Sequence, residues 1–143
     1  MKPIILLVDD EAMLREVMGD VLFKDGFVCV PCANGPDAMR LIDAGPYKFD
    51  LLLSDVRMPG TVDGFEVAKM FLARYPEGTV ILISGYIDEK AAASLSKDRV
   101  RVLPKPLRAQ ELLDAVKEAL ALASVTADAS DIIPLDPNSP RRP

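Results

Sequence analysis

Three carboxylates, a hydroxyl and a lysine carry the chemistry of this chain: Asp9 and Asp10 are consecutive, Asp55 stands alone, and Ser84 and Lys105 follow later apolar runs. Carboxylates gathered in one place repel one another and raise the cost of ionising all of them, so three together call for a positive charge in their midst. Oxygen-only ligands suit a hard divalent cation, and a partly open shell that keeps waters and takes substrate phosphate suits magnesium. Lys105 can then pair with a phosphoryl oxygen as a point charge. Ser84 can donate to a second oxygen, and Gly85 lets its backbone N–H approach closely. The chemistry this implies is phosphoryl transfer, which rests on positioning and charge neutralisation more than on bases. Asp55 is the best nucleophile, because a carboxylate is ionised at neutral pH and forms an acyl phosphate without a general base. The adjacent Asp9 and Asp10 are the natural holders of the cation. After Asp55 the chain enters a proline-fixed, glycine-rich loop ending at Asp63-Gly64, so the Arg57 carbonyl can turn toward the metal.

Histidine is absent, which removes the commonest general base, the commonest metal ligand and any histidine phosphocarrier role. Cys29 and Cys32 form a C-x-x-C, but no second ligand pair exists and the segment reads as a strand, on which residues three apart face opposite ways. They are expected to be ordinary thiols. The formal charge of −5 disfavours direct nucleic-acid binding. The early apolar run Ile4 to Val8 is too short for a signal-peptide core or a membrane span. A cytoplasmic protein without membrane association is expected.

Elements to position these groups follow from the apolar pattern. Short apolar runs at Ile4 to Val8, Phe27 to Val30 (stopped by Pro31), Leu51 to Ser54, Val80 to Ser84 and Val100 to Leu103 read as five strands, the first of them buried on both faces of a parallel sheet. Leu14, Val17, Met18, Val21 and Leu22 give the first helix its buried stripe, and Gly26 is placed to end it. Asn34-Gly35-Pro36 opens a second helix that Gly45-Pro46 closes. Phe65 to Tyr75 forms a third, and Glu89 to Leu95 a short alanine-rich one. The last runs from about Arg108 to Ala123. Five strands alternating with five helices indicate a doubly wound α/β sheet, and such sheets bind ligands beyond the carboxyl ends of their strands. Asp9-Asp10, Asp55, Ser84 and Lys105 all fall at such ends. Since a chain of 143 residues makes one domain the default, residues 1–123 are expected to form it. Residues 124–143, with prolines at 134, 137, 140 and 143, are expected to form a flexible tail.

The motifs Leu-Val-Asp9-Asp10-Glu, Leu-Ser-Asp55-Val-Arg-Met-Pro-Gly, Ile-Ser84-Gly-Tyr and Leu-Pro-Lys105-Pro together resemble the receiver domain of bacterial two-component response regulators, over about residues 3 to 123. The resemblance implies a flavodoxin-like strand order 2-1-3-4-5. It also implies that Asp55 is the phosphoacceptor, Asp10 a direct magnesium ligand, Asp9 a mostly water-mediated one, Arg57 a ligand through its carbonyl, Ser84 the switch hydroxyl and Lys105 the phosphate-pairing cation. Arg57 and Tyr86, two positions after the acceptor and the switch hydroxyl, are expected to flank the site and restrict water. Three departures limit the likeness. Val102 stands where many members carry Tyr or Phe, the loop before Asp63-Gly64 is one residue longer than the shortest form, as in receivers of hybrid histidine kinases, and the segment from Lys97 to Arg101 is highly polar.

The function expected is therefore a receiver, alone or cut from a hybrid kinase, that catalyses only its own phosphorylation and dephosphorylation. A histidine kinase or histidine phosphotransfer protein would be the donor and a protein effector the target; no oligomeric state follows from the sequence. Three other readings remain. A haloacid-dehalogenase-like phosphatase expects D-x-D after the first strand, where this chain has adjacent acids. A flavodoxin-like cofactor binder expects a hydroxyl- and glycine-rich loop where Asp9-Asp10-Glu11 stands. A phosphorylation-independent scaffold would have no need of all five site residues.

Overall fold

The computed structural model describes residues 2–85 and 99–132, with side chains through residue 121. Five strands, β1 (Ile4–Val8), β2 (Val28–Cys32), β3 (Leu51–Asp55), β4 (Thr79–Ser84) and β5 (Val100–Pro104), form one parallel sheet in the order β2-β1-β3-β4-β5. The described helices are α1 (Ala12–Lys24), α2 (Gly35–Ala44), α3 (Gly64–Arg74) and α4 (Ala109–Ile132). The helix expected from Glu89 to Leu95 lies outside the described residues.

β1, β3 and β4 are buried along nearly their whole length, as expected where right-handed crossovers cover both faces of a parallel sheet. On one face Leu6, Val8, Leu52, Val80 and Leu82 pack with Ala38 and Ile42 of α2 and Val67, Ala68 and Phe71 of α3. On the other, Ile5, Leu7, Leu51, Leu53, Ile81 and Ile83 meet Met18 and Leu22 of α1 and Leu112, Ala115 and Val116 of α4. Burial of a side chain such as Leu22 or Leu112 contributes roughly 1.5–3 kcal/mol. Cys29 belongs to the second cluster and Cys32 to the first, so the two thiols do lie on opposite faces. Burial raises both, Cys29 to about 11, which leaves them protonated and unreactive at neutral pH.

Local signals set the helix ends. Gly26, at φ +94, closes α1 in a left-handed turn that suits glycine: its N–H bonds to the Phe23 carbonyl at 3.0 Å and the Phe27 N–H to the Leu22 carbonyl at 3.1 Å, the paired closure of a Schellman motif. The Asn34 side chain caps α2 by accepting from the Asp37 N–H, and Asp63 caps α3 by accepting from the Glu66 N–H.

The structure corrects three expectations. Pro31 does not stop β2, which continues to Cys32. β2 is an edge strand whose alternate groups face β1, shown by Val28 N–H to Pro3 O and Asp9 N–H to Cys32 O. The missing N–H of Pro31 thus falls on the open side, where it breaks no ladder bond. Val17 is not buried with its helix stripe but 57% exposed. The apolar arc of α1 is wider than the sheet beneath it, and Leu14, Val17 and Val21 line a groove facing Leu107, Ala109 and Leu112 instead. Finally, the last helix, α4, does not end near Ala123 but runs to Ile132. No glycine or proline interrupts that segment, and the first breaker is Pro134, which disfavours helix at the residue before it.

Candidate functional site

Strand order reverses between β1 and β3, and the crevice at their carboxyl ends is where an open α/β sheet takes its ligand. Asp9 follows β1 directly, and Asp55 is the last residue of β3. Asp9 is 1% and Asp55 6% exposed, whereas Asp10 is exposed. One oxygen from each of these carboxylates lies within 4.8 Å of the others. Lys105, just beyond β5, reaches in with Nζ 3.1 Å from Asp55 Oδ2. Its own N–H donates to the Ser84 carbonyl at 2.9 Å, which ties the end of β5 to that of β4. Ser84 is the buried last residue of β4. The peptide between Lys105 and Pro106 is cis.

Four of the sequence-derived residues, Asp9, Asp10, Asp55 and Lys105, are thus brought together, with Ser84 on the neighbouring strand end. Arg57 is exposed on the loop two residues past Asp55. A Cβ at Gly85 would meet none of the described residues within 4 Å. Tyr86 lies outside the described residues. Val102 packs against the α2–α3 side of the core.

Electrostatics show what the cluster lacks. Burial, and then the neighbouring Asp55 and Asp10 charges, hold the Asp9 carboxyl above its usual range against the bond it accepts from the Glu11 N–H. Burial also raises Asp55, aided by the Asp10 charge and opposed by Lys105. Burial alone would lower Lys105, but its hydrogen bond and charge pairing with Asp55 outweigh that and raise it. Among the described residues, one lysine is paired within a cluster of three acids, an excess of two negative charges that equals the charge of one divalent cation. With oxygen donors alone, the residues fit magnesium or a similar hard ion.

The β3–α3 loop is held at its far end by a contact that sequence spacing did not reveal. The Gly64 N–H donates to the Val56 carbonyl at 2.8 Å, and a Cβ at Gly64 would lie 2.3 Å from the Asp55 carbonyl oxygen and 2.9 Å from the Val56 Cα. Gly64→Ala is therefore expected to displace Asp55 or the start of α3. With Asp55 expected as the reacting group, and misplacement of such a group by 1 Å able to cost about a hundredfold, the variant is expected to take up a phosphoryl group at least about tenfold more slowly. Overpacking should also lower its stability by about 1–3 kcal/mol. Time-resolved intact mass and thermal unfolding check both effects.

An α/β domain with a cluster of three carboxylates and a lysine at the switch point of a 2-1-3-4-5 sheet is the class that fold and site define. The sequence matches the response regulator receiver domain over residues 5–117, and the chain belongs to that family. It is 38% identical over 118 residues to the positive alginate biosynthesis regulatory protein of Pseudomonas aeruginosa, covering 80% of this chain and 46% of that protein. It is also 33% identical over 119 residues to the sensor kinase CckA of Brucella abortus, covering 81% of this chain and 12% of that protein. The chain thus spans less than half the length of these curated relatives. Among solved structures, a response regulator receiver protein from Sinorhizobium medicae superposes with a TM-score of 0.79 at 28% identity, over 85% of this chain and 97% of that one. The receiver domain of the hybrid histidine kinase CckA does so with a TM-score of 0.70 at 32% identity, over 82% of this chain and 98% of that one. Family membership decides for the receiver over the phosphatase and the cofactor binder. Receivers are signalling domains that take phosphoryl groups from histidine kinases and regulate effectors. Among the described residues no helix is long and apolar enough to cross a membrane.

Proposed function

We propose that this chain is a phosphorylation-controlled receiver in which Asp55 accepts the phosphoryl group. Asp9, Asp10, Asp55 and the Arg57 carbonyl would hold magnesium, which when bound neutralises the acids and the incoming phosphoryl oxygens. The Asp55 carboxylate attacks phosphorus, the bond from phosphorus to the donor nitrogen breaks, and its electron pair leaves on the imidazole. Lys105 then exchanges the carboxylate for a phosphoryl oxygen, and Ser84 donates to another. The added charge of about −1.5 to −2 draws both groups toward it and moves the loops that carry them, altering the surface a protein effector reads.

The observation that carries this reading is the buried Asp55 carboxylate, hydrogen-bonded to Lys105 and within 4.8 Å of two further acids. The chain contains no histidine, so the donor imidazole comes from outside it, on a histidine kinase or phosphotransfer protein. The chain acts on no other substrate and works in the cytoplasm. Incubation with magnesium and acetyl phosphate, followed by intact-mass measurement, tests the reading: the mass of one phosphoryl group should be gained, and none should be gained when magnesium is replaced by a chelator. A chain that gains none is a receiver-like scaffold.

The packed unit in this proposal ends near residue 123. Its support is that the apolar residues of α4 packed against the sheet, from Leu112 to Leu120, precede that point. Truncation after Ser124 should therefore shift the melting temperature by no more than a few degrees. A larger fall would show that the rest of α4 or the segment beyond it docks on the domain.

A further inference from the structure

The corner between β1 and α1, which carries two of the three acids, lacks the usual fastening. Glu11 stands in the capping position before α1, but its side chain caps nothing, although helix starts are normally secured by a side-chain oxygen of that residue on a backbone N–H. Four other bonds hold the corner. The Asp9 N–H donates to the Cys32 carbonyl at 3.1 Å, and the Glu11 N–H donates to Asp9 Oδ1 at 2.8 Å. The third and fourth come from within the helix: Arg15 Nη1 donates to the Asp9 carbonyl oxygen at 2.6 Å, while the Arg15 N–H bonds to the Glu11 carbonyl at 2.9 Å. Arg15 thereby grips both ends of the corner, residue 9 through its guanidinium and residue 11 through its backbone. The guanidinium also acts on the Cys32 thiol, lowering it against the larger effect of burial, so its charge lies toward the carboxyl ends of β1 and β2.

We propose that Arg15 is a positioning residue for the cation site, fixing the Asp9 backbone so that the Asp9 and Asp10 carboxylates are presented together to Asp55. The inference rests on the magnesium reading above. Arg15 touches neither Asp55 nor Lys105 by any described bond, and its grip is on a carbonyl rather than on a carboxylate. Its effect is therefore on geometry. As a cation near the site it would by charge alone disfavour a second cation, so geometry and charge predict opposite outcomes when it is removed.

Isothermal titration of magnesium into the unphosphorylated protein reads the difference. Arg15→Met, which keeps the packing stem, should bind magnesium about tenfold more weakly than the parent. Its phosphorylation by acetyl phosphate should need correspondingly more magnesium for half-maximal rate, while the rate at saturating magnesium returns to within about twofold of the parent. Arg15→Lys, which keeps the charge and one donor on a shorter reach, should lie between the two. If Arg15→Met is poorly folded by thermal unfolding, Arg15→Lys carries the test, since any loss of affinity at constant charge reports geometry. Affinity equal to or tighter than the parent's in Arg15→Met, or parental affinity in Arg15→Lys where that variant carries the test, would overturn the proposal. A parent that takes up no magnesium would overturn it together with the site reading beneath it.

Discussion

Asp55→Asn should be folded and gain no phosphoryl group from acetyl phosphate under conditions where the parent gains one. The amide keeps the shape of the side chain at the buried end of β3 but offers no anionic oxygen to attack phosphorus. Neither neighbouring acid replaces it: Asp9 holds the Glu11 N–H, and Asp10 is exposed to water. The loss should be complete rather than partial, because a neutral amide oxygen is a far weaker nucleophile than a carboxylate and the chain has no histidine to serve as a base. The fold should not suffer, since burial holds the Asp55 carboxyl above its usual range and the substitution removes that strained charge, although Lys105 loses its partner. Intact mass after reaction and acid treatment is the readout. An acid-labile phosphate of the same stoichiometry in the variant would move the acceptor to another side chain.

What could be read from the residues, and what could not, divides along a physical line. The strands were legible because burial on two faces demands continuous apolar runs such as Leu51 to Leu53 and Val80 to Ile83. The site was legible because a parallel sheet gathers every strand's carboxyl end on one edge, so polar residues closing apolar runs had to meet there. Edge effects were less visible. Pro31 looks like a stop in sequence, yet on the open side of β2 it costs no hydrogen bond, and only the three-dimensional order shows which strand is the edge. Val17 carries the right period for burial, but periodicity does not say how wide a footprint the sheet offers. The end of α4 depends on where the first true breaker lies, and low apolar content alone drew the boundary too early. Arg15 and Gly64 left no signal of their own type. One works by donating to a main-chain carbonyl six residues back and the other by having no side chain against the Asp55 carbonyl, contacts that the fold creates and spacing does not announce.

Asp9→Asn should reverse its stability relative to the parent according to whether magnesium is present. The Asp9 carboxyl titrates above its usual range, from burial first and then the charges of Asp55 and Asp10. A raised acid binds its proton more tightly in the folded than in the unfolded chain, so this group costs stability as pH rises through the carboxylate range, and the cost is fully present above the raised value. At neutral pH and in a chelator the parent carries that cost, while Asn does not. The Asn side-chain oxygen can still accept the Glu11 N–H, so the corner should survive. The variant is therefore expected to melt higher than the parent near pH 7 without metal, with the gap closing as the pH is lowered toward about 4, the ordinary range of a carboxyl. Magnesium should invert the order. A ligand at a hundred times its Kd adds about 2.7 kcal/mol, and the parent, with all three carboxylates, should gain this at lower magnesium than the variant. Loss of one of three acid charges about 4 Å from a cation removes on the order of 1–4 kcal/mol of attraction per unit charge, which places the affinity loss at tenfold or more. Melting curves in chelator and in magnesium, each across a pH series, give all four corners of the comparison. A variant that is less stable than the parent in chelator at neutral pH, or a gap that does not change with pH, would show that Asp9 is not the uncompensated charge the site is built around.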